Sequence, residues 1–415
     1  MTRRDFGAGA AALCGTAFIG SDAVAANISP LRAALDAHVT DRSLAGLVAL
    51  VDRSGSSKVH VAGLQSFESG TPMQRDTIFR VASISKPVTA AGAMILVEEG
   101  KVRLDDPVDR WLPELADRQV VRSLEGPIDA TVPTKRAITL RDLLTMRMGL
   151  GAVFTDPSSS PLLTRFNALE LAPGPTLFAH SQDEYMRRLG TLPLAYHPGE
   201  RWLYHTGLDV AGVLIARASG QTLGAFLHER IFVPLGMKDT AFFVPPAKQD
   251  RLATLYARNP ESGALQPWPK GFDVSRVPPM ELGGGGLAST VDDFAAFGRM
   301  LLAGGTYRDK RILKPDSIAE MRRDQIPAEV KAASPFFPDF WKTNGWGLGM
   351  SVVTAPDPVS AHPGRFGWWG GTGTTFFADP RTDTVAVLMF QRLMTGADDT
   401  AVSNEFLREA LKGEA

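Results

Sequence analysis

The stretch "RVASISKPVTA", residues 80–90, sets Ser83 and Lys86 three residues apart, with Pro87 directly after the lysine. In the first turn of a helix, residues three apart share a face, so the lysine amine lies beside the serine hydroxyl. Proline fits a helix only in that turn, where its missing N–H costs little. The stretch therefore marks a helix start, with Ser83 near the positive end of the backbone dipoles. A serine hydroxyl is a poor nucleophile until a base accepts its proton. Partial burial drives a lysine toward its free amine, which supplies that base. Alone, the pattern reads equally well as a capping serine with a solvated lysine. What distinguishes the readings is the surrounding chain.

Upstream, "LAGLVALVDR" and "KVHVAGLQ" are β-rich runs split by Ser54-Gly55-Ser56-Ser57, a hairpin signal. A short helix is expected over "LRAALDAHV", residues 31–39. Downstream the character changes. "KPVTAAGAMILVEEGKV" is a helical pattern stopped by Gly100, and "LDDPVDRWLPEL" and "ITLRDLLTM" continue as helices and loops. Residues 152–183, rich in Pro, Ser, Thr and Gly, read as a long surface excursion. Helices follow over "LDVAGVLIARASGQTLGAFLHERIFVPLGM", with Gly220 and Gly236 as stops, and over "DDFAAFGRMLLAGG". The last quarter returns to strands in "WGLGMSVV", "GRFGWWGGTGTTFFADP" and "TVAVLMFQR", the last two joined by a turn at Pro380-Arg381-Thr382-Asp383. "NEFLREALK" closes the chain as a helix. Strands at both ends with helices between predict an α+β fold: an antiparallel sheet built from both termini, flanked by helices. The expected division is sheet over 26–85 and 285–415, with a mostly helical insertion over 86–284.

The chain has 415 residues, long enough for two subdomains. Hydrophobic residues make up 44% and charged residues 21%, with a formal charge of -1. No basic stripe argues for nucleic acid or an anionic membrane. The first 25 residues read as a twin-arginine-type export signal: Arg3 and Arg4, a small-residue apolar run, and Ala23-Val24-Ala25 as the cleavage site. The apolar run from Gly7 to Gly20 is too short to span a membrane. The expectation is a folded protein exported to the periplasm or secreted, with no stable membrane span in the mature chain. Cys14, the only cysteine, falls inside that segment, which leaves no disulfide and no thiol chemistry.

Two further stretches carry chemistry. In "PGERWLYHTGLDVAG", Tyr204 ends an aromatic run before a helix. A phenol near a lysine is expected to ionise more easily and to shuttle protons. By itself it reads as a core tyrosine at a helix start. His205 reads as a residue of the site rim or surface, because no G-x-S-x-G elbow exists to pair with it, and the seven histidines show no metal spacing. In "RFGWWGGTGTTFFADP", glycines beside a strand allow close approach, and the strand edge offers an N–H to an oxyanion. The run Gly283 to Gly286 reads as a tight loop, since no G-K-[ST] follows it.

Together these stretches resemble the serine β-lactamase/penicillin-binding-protein superfamily, and within it the family VIII carboxylesterases. The matching residues are Ser83-Ile84-Ser85-Lys86, Tyr204-His205-Thr206 and Trp368-Trp369-Gly370, in the family's order. The resemblance spans roughly residues 30–410. It implies a β-lactamase/transpeptidase-like fold and a serine hydrolase acting through an acyl-enzyme on Ser83. Lys86 and Tyr204 would handle the protons, and the N–H groups of Ser83 and Gly371 would hold the oxyanion. Trp368, Trp369, Gly370 and Thr206 would bind substrate; Ser85 would be a helix-start residue. No metal and no organic cofactor is implied, and the partner implied is a small-molecule ester.

Departures from the family pattern bear on substrate. β-Lactamases and D,D-peptidases usually open the third motif with Lys or His, which helps bind a substrate carboxylate; here Trp368 and Trp369 stand there. Thr206 replaces the usual Asn of the tyrosine motif, and Met146-Arg147-Met148-Gly149-Leu150 replaces the common His-Thr-Ser-Gly-Leu. An aromatic, cation-poor pocket favours esters with neutral acyl groups. Arg365 is the one residue that would restore a cation if it faced the site. The third motif admits a second register, Trp369-Gly370-Gly371; the spacing to Asp379-Pro380 favours Trp368 first. The alternatives are a β-lactamase or D-amino-acid/D,D-peptidase on the same fold, or a non-catalytic penicilloyl- or peptidoglycan-binding module.

Overall fold

The computed structural model describes residues 29–152, 157–174, 178–268 and 273–412. The proposed export signal, with Arg3, Arg4 and Cys14, lies outside the described residues. Strands from both chain ends meet in one antiparallel sheet of seven. β1 (Gly46–Arg53) and β2 (Ser56–Gly63) form the first hairpin. The turn is shorter than the sequence suggested, only Ser54 and Gly55, so Ser56 and Ser57 already pair with Arg53 and Asp52. β3 (Asn344–Trp346), β4 (Ser351–Val353), β5 (Phe366–Gly370), β6 (Thr374–Asp379) and β7 (Thr384–Phe390) complete it. The order is β3-β4-β5-β6-β7-β1-β2, so the chain ends join through β7 and β1, registered as Leu47 opposite Phe390 through Arg53 opposite Thr384.

Both faces of the sheet are covered, which is why β7 is buried along its whole length. Period-2 alternation sorts its residues. Leu47, Ala49, Phe377, Ala386 and Leu388 pack under α1 (Ser29–Thr40) and a C-terminal helix over Ala401–Leu411. Val48, Leu50, Phe376, Val385 and Val387 face the larger core with the helices inserted between β2 and β3. Of those, α2 (Ser85–Glu98) and α3 (Thr206–Ser219) pack on one another, and α4 (Val291–Leu302), capped by Thr290, lies on β6 and β7.

Two local expectations change. "LDDPVDRWLPEL" forms no helix beyond a single 3₁₀ turn at Pro113–Leu115, because Pro107 and Pro113 interrupt any longer hydrogen-bonded run. Residues 152–183 are not simply a surface excursion: the described part contains a helix over Pro161–Ala168 that buries Leu162, Leu163 and Phe166. The mixed, Pro- and Ser-rich composition hid that apolar face. Among the described residues no single helix is long and apolar enough to cross a membrane.

Candidate active site

Ser83 lies in a 3₁₀ turn over Ala82–Ile84 that leads directly into α2, so the nucleophile candidate sits two residues before the helix rather than within it. Ala82 holds φ 46°, a costly conformation for a residue with a Cβ. Ser85 is structural: its hydroxyl donates to the Ala82 carbonyl (2.7 Å) and accepts the Leu287 N–H (3.2 Å). Lys86 is fully buried, and its Nζ lies 2.8 Å from Ser83 Oγ. Burial depresses the Lys86 pKa to about 7, against a weaker upward pull from Asp209. A solvated lysine is thereby excluded, and a large share of the amine is free near neutral pH.

Tyr204 comes from an extended segment held by Met146 and Ala152: the Leu203 N–H donates to the Met146 carbonyl (2.8 Å), and the Ala152 N–H to the Tyr204 carbonyl (2.9 Å). The phenol hydroxyl bonds Ser83, and its oxygen accepts the Trp368 Nε1–H at 2.6 Å. Its ring lies 4.6 Å from Lys86 Nζ. Burial raises the Tyr204 pKa, outweighing the hydrogen bonds that lower it. This corrects the expectation of easier ionisation: in the resting site Tyr204 keeps its proton.

His205 corrects a second expectation. It is neither rim nor surface: its side chain is 13% exposed, with Nε2 3.1 Å from Asp209 Oδ2 and Nδ1 3.2 Å from Lys86 Nζ. The residue sits at φ 82°, ψ -65°, and the Thr206 N–H reaches back to the Tyr204 carbonyl at 3.2 Å. That is the rare, strained γ-turn, which swings the imidazole into the site instead of out to solvent. The same turn starts α3 at Thr206, which is buried and does not line the cleft. Desolvation and the adjacent Lys86 lower the His205 pKa, so the imidazole is neutral.

The glycine run 283–286 does more than turn the chain. Gly284 accepts Lys86 Nζ on its carbonyl at 2.5 Å and donates its N–H to Asp209 Oδ1 at 2.7 Å. A Cβ there would lie 2.8 Å from Asp209 Oδ1 and 2.9 Å from His205 Nε2, so the close approach requires glycine.

β5 forms the opposite wall. Trp368 packs into the larger core and Trp369 also reaches Phe377 on the other face, 5.0 Å between centroids, yet the two indole rings lie 5.2 Å apart and both border the cleft. Trp368 joins Tyr204, Trp346, Phe336 and Phe340 in one aromatic cluster, with Trp346 and Trp368 centroids 4.7 Å apart. Gly370 touches the nucleophile segment: a Cβ there would lie 2.4 Å from the Val81 carbonyl oxygen, and Thr374 Oγ1 donates to the same oxygen at 2.8 Å. Gly371 lines the cleft, and its N–H has no acceptor among the described residues. Arg365 does not reach the site. It is buried, paired with Asp357 at 2.6 Å and set over the Phe377 ring on the far face of the sheet.

These walls enclose a cleft of about 370 Å³ that includes Ser83, Tyr204, His205, Trp368, Trp369 and Gly371. Phe336, Leu393 and Met394 extend its apolar lining, and no Lys, Arg, Asp or Glu lines it among the described residues. Phe336 was missed in the sequence, although the aromatic run "SPFFPDFW" at 334–341 is a usable signal. Among the described residues no group of three His, Cys, Asp or Glu is arranged to hold a metal ion.

A seven-stranded antiparallel sheet covered by helices, with Ser83, Lys86 and Tyr204 gathered at the start of a helix, is a β-lactamase/transpeptidase-like fold. Residues 31–410 match the Beta-lactamase family, and the chain belongs to that family. It is 39% identical to Protein Rv1367c of Mycobacterium tuberculosis over 368 residues, 87% of this chain and 89% of the relative. It is 33% identical to Esterase EstB of Burkholderia gladioli over 370 residues, 84% of this chain and 86% of the relative. Relatives that bear esterase names support placing the chain among the hydrolases. In three dimensions it is similar to EstCE1, described as a hydrolase with promiscuous acyltransferase activity. The TM-score is 0.78 at 24% identity, covering 95% of this chain and 100% of the other, a likeness of fold alone.

Proposed function

We propose that the protein is a serine hydrolase that cleaves carboxylic esters of neutral acyl groups through a covalent acyl-enzyme on Ser83. The observation that carries this reading is the 2.8 Å contact between Ser83 Oγ and the buried Lys86 amine, opening on a cleft that no Lys, Arg, Asp or Glu lines among the described residues. In the first step Lys86 Nζ takes the Ser83 proton as Oγ attacks the ester carbonyl. The N–H groups of Ser83 and Gly371 receive the developing oxyanion. The proton then passes from Lys86, or through the Tyr204 hydroxyl, to the leaving alcohol. Water enters against Tyr204 and Lys86 and releases the acid by the reverse proton path. Trp368 N–H holds the Tyr204 oxygen in place through both halves.

A substrate carboxylate would enter this cleft without a partner, and an unpaired buried charge is strongly disfavoured. That argues for simple esters over β-lactams. The similarity to Esterase EstB supports the same reading. The twin-arginine-type segment would deliver the protein folded to the periplasm or beyond. The test is a paired assay: p-nitrophenyl butyrate is hydrolysed and nitrocefin is not. Fast nitrocefin turnover with feeble ester cleavage overturns the ester reading.

A further inference from the structure

Lys86 Nζ has three polar neighbours, and their chemistry is unequal. The Gly284 carbonyl, at 2.5 Å, can only accept. Ser83 Oγ, at 2.8 Å, can donate or accept. His205 Nδ1, at 3.2 Å, does whichever its tautomer allows. Asp209 decides that tautomer. Its carboxylate already accepts the Gly284 N–H on Oδ1 and faces His205 Nε2 with Oδ2 at 3.1 Å. A carboxylate offers no proton, so Nε2 carries the hydrogen and Nδ1 is left an acceptor. A free amine has two N–H bonds and one lone pair. With Gly284 O and His205 Nδ1 taking the two N–H bonds, the lone pair is left facing Ser83.

We infer that His205, its tautomer set by Asp209, is a positioning residue that aims the Lys86 lone pair at the Ser83 hydroxyl. The four groups close a ring: Lys86 to Gly284 carbonyl, Gly284 N–H to Asp209, Asp209 to His205, and His205 back to Lys86. Lys86 comes from α2, His205 and Asp209 from the start of α3, and Gly284 from the loop before α4, so the ring ties three segments at one amine. The strained γ-turn at His205 is retained in a fully packed site, as expected where the imbalance serves the reaction. The charged or titratable groups facing His205 are Lys86, Asp209 and Tyr204. When Ser83 is deprotonated, its proton moves to the aimed lone pair. The resulting ammonium keeps its bonds to Gly284 and His205 and presents the new N–H toward the reacting oxygens.

This inference rests on Ser83 as nucleophile, and the test separates the two. Asp209→Asn keeps an oxygen for the Gly284 N–H but offers N–H to His205 Nε2. That forces Nδ1 to carry the proton and turns the lysine lone pair away from Ser83. His205→Leu removes the acceptor; His205→Asn places an amide oxygen near the former Nδ1. The readout is the single-turnover rate of p-nitrophenol release from p-nitrophenyl butyrate across pH, with KM measured separately. Expected for Asp209→Asn and His205→Leu is a loss of about 100-fold or more in acylation rate, within the usual range for a displaced general base, with KM nearly unchanged. Loss of the Asp209 charge also moves the alkaline-rising limb of the Asp209→Asn profile toward lower pH, because that charge raises the Lys86 pKa. His205→Asn recovers most of the rate. Rates within about threefold of wild type in both Asp209→Asn and His205→Leu overturn the inference. So does a His205→Asn rate as low as that of His205→Leu. If Asp209→Asn fails to fold, the two His205 variants decide alone. Activity persisting in Ser83→Ala would instead overturn the nucleophile reading.

Discussion

Replacing Lys86 with methionine removes the base and also a cost of folding. The side chain is fully buried and its pKa falls from 10.5 to about 7. The unfolded chain therefore binds a proton between those values that the folded protein releases. The sign follows from that difference: wild-type stability falls as pH drops from about 10.5 toward about 7 and is flat below, with respect to this group. At 1.36 kcal/mol per unit, the swing between about pH 10 and about pH 6 is on the order of 4 kcal/mol. Methionine has a similar length and no charge, so Lys86→Met lacks this swing. Its own cost is the loss of hydrogen bonds to Gly284, Ser83 and His205, about 1 kcal/mol each and independent of pH to first order. The assay is urea unfolding of both proteins at several pH values. The expected result is a wild-type-minus-variant difference that moves against the wild type by about 4 kcal/mol on going from about pH 10 to about pH 6, in a variant without esterase activity. A difference that stays constant across that range, to within about 1 kcal/mol, refutes the claim that Lys86 is held as a free amine.

Three further outcomes follow from the walls of the cleft. Trp368→Phe keeps an aromatic ring, though a smaller one, but removes the N–H that holds the Tyr204 oxygen at 2.6 Å, and p-nitrophenyl butyrate turnover is expected to fall about tenfold at saturating substrate. Gly370→Ala drives a Cβ against the Val81 carbonyl, so a destabilisation of about 1–3 kcal/mol in urea unfolding is expected, with slower acylation. Wild-type kcat/KM for the same ester rises with pH through about 7 as Lys86 loses its proton, and a profile flat from about pH 5 to about pH 9 would contradict that assignment.

The sheet was readable because its signals are local. β1 and β7 carry continuous apolar runs bounded by turn residues, and α4 carries a capping Thr290 before its apolar stripe. Ser83, Lys86 and Tyr204 were readable as a spaced set, and the structure brings them into contact. What stayed hidden depends on long-range geometry. His205 and Asp209 are four residues apart at a helix start, a spacing that places them on one face, but only the γ-turn sends that face into the site. Gly284 meets Asp209 across 75 residues of sequence, and no pattern in "GGGG" reports that. The Tyr204 pKa could not be read because burial raises it while hydrogen bonds with Ser83 and Trp368 lower it, and burial depth is a property of the whole core. Arg365 was ambiguous because its direction depends on strand register, which places it with Trp369 rather than with Trp368.

In the proposed reaction Ser83 carries the acyl group. Intact-mass analysis after exposure to a p-nitrophenyl alkylphosphonate, followed by peptide mapping, tests it directly. One adduct per chain is expected on Ser83, absent in Ser83→Ala and much slower in Lys86→Met. An adduct on another residue, or none at all from a protein that hydrolyses p-nitrophenyl butyrate, would contradict it.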